Sequence, residues 1–413
     1  MREGWKEIKL KEICKFKYGK NLPGKVRVLG NYPVYGSSGI VSYHKDYLLE
    51  GPGIIIGRKG TVGKVQYSKD NFFPIDTTFY IQEDKSKVDL KFLYYRLPIS
   101  GLDKMNSDAA VPGLNRTAAI NQKINLPPLP TQHRIAKILS AYDDLIENNL
   151  KRIKLLEEMA QSYFDNWYSK ITDYEETNLG ALIDHEIGRG WGKEEKSEEF
   201  SKPAFVIRGT DIDELPHGKI EKVPFRYHKK SNLASRRLQD GDIIFEVSGG
   251  SSYEGVAKTL FINDELLRQF DHPVMPASFC KLVRPMDRNY SNFLFHFLRF
   301  LRKREGTEVF EIRSASNIVN YNWTAFLKFQ KVNKPTNHNL IELNKTVNPV
   351  YKEIYNLGIQ NQRLKEARDI LLPRLMTGMV DVEELEGQVK EKMEDKLTMA
   401  AENKVNYSKN RNI

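Results

Sequence analysis

Two stretches of the chain repeat apolar residues in alternating steps of three and four. The first runs Ile135, Leu139, Tyr142, Ile146, Asn149, Ile153, Leu156, Ala160, Tyr163 and Trp167. The second runs Leu340, Leu343, Val347, Val350, Ile354, Leu357, Asn361, Leu364, Arg368 and Leu371. This heptad rhythm predicts two long amphipathic helices, over residues 131–170 and 336–380. About 36 residues of helix would span roughly 54 Å. Thr131 and Thr336, each just after a proline, or their immediate neighbours are the expected N-caps. Pro349 is expected to kink or delay the second helix. Elsewhere the pattern changes to short apolar runs punctuated by Gly and Pro, as at Gly53–Gly57, Thr78–Ile81, Gly241–Val247 and Ser278–Val283, which reads as strands.

These elements repeat. The segment from Leu10 to Lys20 aligns with that from Leu179 to Arg189, Gly53–Ile56 with Asp242–Phe245, Thr78-Phe79 with Ser278-Phe279, and Pro130-Thr131 with Pro335-Thr336. Each match is weak, but their shared order argues for two copies of one unit. The expected fold is α+β. Two mixed α/β domains, residues 1–130 and 171–335, are separated by a long antiparallel two-helix coiled coil with pseudo-two-fold symmetry. A tail over 381–413, rich in Glu, Lys and Asn, is expected to be flexible. One asparagine interrupts each seam, Asn149 at a d-type and Asn361 at an a-type position. A polar seam residue fixes register at a cost in stability, so Asn149 is expected to face Asn361. Two ordinary core helices, each with a stray polar residue, remain the alternative.

Composition narrows the class. The chain has 413 residues, 40% hydrophobic and 29% charged, enough for two to three domains. No apolar run approaches the roughly 18 residues of a membrane span, and the charged start is no secretory signal. The two cysteines, Cys14 and Cys280, lie in separate halves, so a reducing, cytoplasmic setting is expected. The net charge of +10 is unevenly spread. Residues 1–130 carry 21 Lys/Arg against 12 Asp/Glu, residues 131–175 carry 6 against 8, and residues 176–335 carry 25 against 22. The surplus in both blocks favours a polyanionic partner through counterion release.

Reading DNA needs donors and cations on loops that can enter a groove. The first block offers Lys20, the turn Tyr35-Gly36-Ser37-Ser38, the basic glycine loop with Arg58, Lys59, Thr61 and Lys64, and then Asn115-Arg116. The second offers Arg189 with Trp191, Arg208 with Thr210, Ser248 with Ser251, and Arg313-Ser314. The loop at 57–64 is one residue too long for a nucleotide-binding P-loop, and Val65 follows Lys64 where Ser or Thr is required. There is no His-Glu-x-x-His or paired-cysteine motif, so neither a metal site nor a catalytic residue is expected.

The segment Leu126–Leu139 (LPPLPTQHRIAKIL) and the segment Leu364–Gly378 (LKEARDILLPRLMTG) resemble the two signatures of type I restriction-modification specificity subunits. Trp5 followed by Leu10 resembles the start of their first recognition domain. The resemblance spans roughly residues 4–382. It implies a non-catalytic DNA-recognition subunit in which each domain reads half of a bipartite site and the helices set the gap. It further implies two methyltransferase partners that use S-adenosylmethionine, and two restriction partners that use ATP and Mg, in a nucleoid-associated bacterial or archaeal complex. The chain itself is expected to bind no cofactor. The second copy departs from the signature, with Asn337 where the first has Gln132. Alternatives are a self-sufficient DNA methyltransferase or nuclease, and a coiled-coil scaffold that does not bind DNA.

Overall fold

A computed structural model describes residues 3–105, 113–188, 190–249, 256–304, 306–313, 318–385 and 387. It divides into two compact units, Met1–Asp144 with Glu366–Ile413, and Leu145–Lys365. Each unit takes one sheet domain and a part of both long helices.

The first unit is built on a four-stranded sheet in the order Cys14–Tyr18, Thr78–Glu83, Gly53–Gly57, Val65–Ser68. Its outer strand alternates, burying Cys14 and Phe16 and exposing Lys15, Lys17 and Tyr18, as a strand with one face on the core must. Its inner strand, Gly-Ile-Ile-Ile-Gly, is buried throughout because both faces are covered. A second sheet pairs Tyr32–Gly36 antiparallel to Gly39–His44 and parallel to Phe73–Pro74. A ribbon of Lys6–Lys9 against Lys123–Leu126 closes the domain.

The second unit repeats this plan. Its four-stranded sheet has the corresponding order Ile183–Gly188, Cys280–Pro285, Ile243–Glu246, Thr259–Phe261. Its three-stranded sheet again places one antiparallel neighbour, Phe225–His228, and one parallel neighbour, Val274–Pro276, beside Lys202–Ile207. A ribbon of Tyr174–Asn178 with Lys331–Pro335 closes it. A short helix precedes the closing strand in each copy, and an asparagine caps each one: Asn115 Oδ1 accepts from Ala118 N, and Asn322 Oδ1 from Ala325 N. The second copy adds a small sheet of Ser248–Gly249, Val319–Tyr321 and Glu311–Arg313.

The two long helices run Leu129–Lys170 and Asn337–Met376. No seam position in either helix is exposed. They bury more than a seam, however. Phe164, Tyr351 and Tyr355 lie off the heptad stripe and pack into the core of the second unit. In the same way Ala136 joins Ile135 and Leu139 in the core of the first. The helices are therefore also core helices of the domains they join. Within the second unit Arg152 pairs with Glu353 at 2.8 Å, and Tyr163 meets Thr346 at 3.3 Å. Partner numbers fall as helix numbers rise, so these segments are antiparallel. Asn149 and Asn361 are both buried, and among the described residues the Asn361 amide has no hydrogen-bond partner.

Two local expectations need correction. The first helix starts at Leu129, so Thr131 lies inside its first turn, where Gln132 N donates to Pro128 O instead of to a Thr cap. Thr336 does cap the second helix, its Oγ1 accepting from Asn339 N at 3.4 Å. Pro349 does not delay that helix, which is assigned without a break from Asn337. Pro349 sits on the exposed face, where water can reach the carbonyl that its ring leaves without a donor.

Candidate nucleic-acid interface

One end of the first domain is assembled from four segments distant in sequence. The Gly57–Lys64 turn is its centre. Gly57 is required there because a Cβ would lie 2.0 Å from Thr61 O. Gly63, at φ +72°, packs so closely that a Cβ would lie 2.3 Å from Asp103 N. These glycines thus serve close backbone packing. Lys64 Nζ donates to Ser38 O, which ties the Ser37-Ser38 turn to the loop. Lys59 bridges to Gly113, and Leu114 N donates to Arg58 O, which brings in the start of the Arg116–Ile120 helix.

At this end Tyr18 stands 51% exposed. Its ring lies 5.0 Å from that of the buried Phe79. The Arg58 guanidinium lies 5.3 Å from the Tyr18 centroid and that of Arg116 lies 5.4 Å from it. Arg58 is fixed further by its Nε and Nη2, which donate to Asp76 O at 3.1 and 2.6 Å. Lys20, Lys59, Thr61 and Arg116 are exposed. Among the described residues no carboxylate lies within ion-pair distance of Lys20, Arg58, Lys59, Lys64 or Arg116.

Two expected readers fall away here. Tyr35 is 7% exposed and packs edge-on against Phe72 at 5.9 Å, because it belongs to a strand and not to the turn that follows. Burial pushes its hydroxyl above the ordinary tyrosine range. Asn115 spends its carbonyl oxygen on the helix cap. Tyr18, by contrast, was not a candidate from sequence. An exposed aromatic at a strand end carries no signal until the fold brings two arginines to it.

The second domain disposes of its cations differently. Arg208 forms a two-pronged pair with the buried Asp211, Nε to Oδ2 at 2.9 Å and Nη2 to Oδ1 at 2.7 Å, and also donates to Lys222 O. Its guanidinium is committed to holding the loop and is not free for a base. Trp191 is 41% exposed, but its face is covered by Arg226 at 4.9 Å, itself paired to Glu194 at 2.7 Å. Lys281 pairs with Glu186, Lys258 with Asp213 at 2.7 Å, and Arg284 with the buried Asp242 at 2.7 Å. Ser248 is buried and its hydroxyl donates to Asn320 Oδ1 at 2.8 Å, which removes it as a reader. Thr210 and Arg313 remain exposed. Arg189, Ser251 and Ser314 lie outside the described residues.

Each domain is joined to its long helix at a different kind of contact. Gln132 is fully buried and hydrogen-bonded at both ends of its amide. Oε1 accepts from Asp89 N at 2.9 Å, and Nε2 donates to Lys87 O at 3.1 Å and Pro127 O at 2.8 Å. The corresponding Asn337 is exposed, and the second helix relies on the Thr336 cap. Among the described residues there is no group of His, Cys, Asp and Glu able to hold a metal, and no helix long and apolar enough to cross a membrane. Burial holds the Cys14 thiol up at about 12 and raises that of Cys280 as well, so neither is a ready nucleophile.

Residues 2–158 match the family described as type I restriction modification DNA specificity domain. Among curated proteins, the chain is 25% identical over 359 residues to the type I restriction enzyme MjaIX specificity subunit of Methanocaldococcus jannaschii, covering 80% of this chain and 78% of the relative. It is likewise 25% identical over 296 residues to the MjaVIII specificity subunit of that organism, covering 62% of this chain and 68% of the relative. The crystal structure of the type I restriction-modification S subunit from M. genitalium superposes with a TM-score of 0.54 at 17% identity, covering 90% of this chain and 96% of that one.

Proposed function

We propose that the chain is a type I restriction-modification specificity subunit, that its two domains each read one half of a bipartite DNA site and that its long helices set the gap between them. The observation that carries this reading is the repeated topology. Two domains share the same sheet orders, the same asparagine-capped helix and the same closing ribbon, and each ribbon leads directly into a long helix. Two similar readers on one chain call for two similar targets on one duplex. Readers on the same side of B-DNA must be spaced by about one helical turn, roughly 34 Å, or a multiple of it. A helical spacer resists stretching, and linked readers gain avidity only where their separation matches the site.

In this proposal the chain performs no chemistry. Methyl transfer belongs to methyltransferase partners with S-adenosylmethionine, which flip the target adenine out of the duplex. Restriction partners, where present, supply ATP- and Mg-dependent cleavage. The exposed cations of the first domain provide the salt-dependent attraction such binding needs. The experiment is methylome sequencing of a host carrying this gene with its methyltransferase partner. The reading predicts one interrupted motif with adenine methylated in both halves. A single uninterrupted motif, or no sequence-specific methylation, contradicts it.

A further inference from the structure

We propose that Arg58 reads a guanine in the half-site of the first domain, with Tyr18 as its platform and Arg116 as the clamp on the adjoining phosphate. The inference rests on the DNA-reading function above and assigns to it a position and a base.

The guanidinium of Arg58 has five N–H groups in a planar fork. Its side edge, Nε with Nη2, is already bonded to the Asp76 carbonyl. That leaves the outer edge, Nη1 with Nη2, as two parallel donors. This edge is the complement of the O6 and N7 acceptors that guanine alone presents together in the major groove. A carbonyl from the protein backbone holds the plane of the fork without consuming its charge, whereas a carboxylate would neutralise it. Specific reading needs such a fixed orientation.

The surroundings point the same way. Arg58 and Arg116 both lie within 5.4 Å of one tyrosine ring. Two cations drawn to one exposed ring, with no carboxylate partner among the described residues, form a place where an electronegative edge or a phosphate relieves mutual repulsion. The ring cannot slide, because Tyr18 rests on the buried Phe79. The backbone beneath Arg58 cannot slide either. Arg58 N donates to Thr77 O at 2.9 Å, and Leu114 N donates to Arg58 O at 2.8 Å. Arg116 is held differently. Its backbone is set by the Asn115 cap, and among the described residues its head group makes no hydrogen bond or ion pair and stands over the Tyr18 ring. A cation held in that way suits a phosphate, which needs charge more than orientation. Arg208 of the second domain is no equivalent, since it turns its donors to Asp211 and Lys222 O.

The test uses the full chain with its methyltransferase partners, comparing wild type with Arg58→Lys and Arg116→Gln. Motif mapping and competition binding on duplexes carrying each base at each position are the readouts. Arg58→Lys keeps the charge and loses the fork. It is expected to relax the preference for guanine at one position of the first half-site by roughly 10- to 100-fold. The second half-site should be unchanged, which also reports that the complex remains folded. Arg116→Gln is expected to weaken binding evenly across sequences and to lower the salt slope by about one. The inference is overturned if the wild-type first half-site contains no guanine, or if Arg58→Lys leaves every base preference intact. Both results leave the bipartite reading standing. Loss of any interrupted motif in the wild type would instead remove that broader reading and this one with it.

Discussion

The two domains share one topology but handle charge in opposite ways. In the first, Arg58 and Arg116 flank an exposed tyrosine, Lys20 and Lys59 stand exposed, and Arg58 is steadied by a carbonyl. In the second, the comparable arginines and lysines are drawn into pairs with Asp211, Glu194, Glu186, Asp213 and Asp242. Conserving a topology therefore does not conserve a surface. The first domain offers free cations on a rigid frame. The second commits Arg208, Arg226, Lys281, Lys258 and Arg284 to ion pairs of its own. Their helix junctions differ in the same spirit, with a buried glutamine amide on one side and an exposed asparagine on the other.

This contrast can be broken at several points. The largest effect is expected at the junctions. Gln132→Ala would leave Asp89 N, Lys87 O and Pro127 O without their partner in a buried place, at a cost of about 3 kcal/mol or more. Asn337→Ala should cost under about 0.5 kcal/mol, because Asn337 is exposed. Urea denaturation of both variants measures the difference, and equal losses would refute the asymmetry. Next comes the role of the cations. Arg208→Ala strands the buried Asp211 and should destabilise the second unit by about 2 kcal/mol. Lys59→Gln in the first domain should leave stability unchanged and lower the salt slope of DNA binding by about one. The reverse pattern would mean that the two surfaces have been misassigned.

A smaller effect is expected from pH. His296 is fully buried in the second unit between Phe164 and Tyr351, with its Nδ1 on Gln161 Oε1 at 2.9 Å. Burial, aided by Arg299, holds its pKa well below 6.5. The unfolded chain then binds a proton below about pH 6.5 that the folded chain does not. Stability is fully present above that pH and falls progressively as the solution is taken from about pH 7 to about pH 5.5. Desolvation raises Asp242 and Glu246, which favours the folded state at lower pH and works against this loss. The His296 contribution is the part of the acid loss that disappears in His296→Gln, read from unfolding curves at the two pH values. No difference between the proteins would contradict it.

Much of this is legible in the sequence alone. The heptad rhythm gave both long helices because burial along a stripe constrains every third or fourth residue. The order of weak matches gave the repeated domain. The site was less legible, for physical reasons. Tyr35 stands beside a Gly-Ser-Ser turn, yet the strand that ends at Gly36 carries it into the core. Asn115 carried a cap signal, an asparagine just before a helix, that competes with any role as a reader. Arg208 and Asp211 stand three apart, a spacing that already favours an ion pair. The Tyr18 cluster had no sequence signature at all, since Tyr18, Arg58 and Arg116 meet only through the sheet register and the turn at 57–64.

The central claim is that each domain reads its own half-site, and a domain exchange tests it most directly. Residues 1–130 are replaced by the corresponding segment of a specificity subunit with a different target, and the methylated motif is mapped in the same host. The account predicts that one half-site changes while the other half-site and the gap length stay as they were. A change in both half-sites, or in neither, would contradict it.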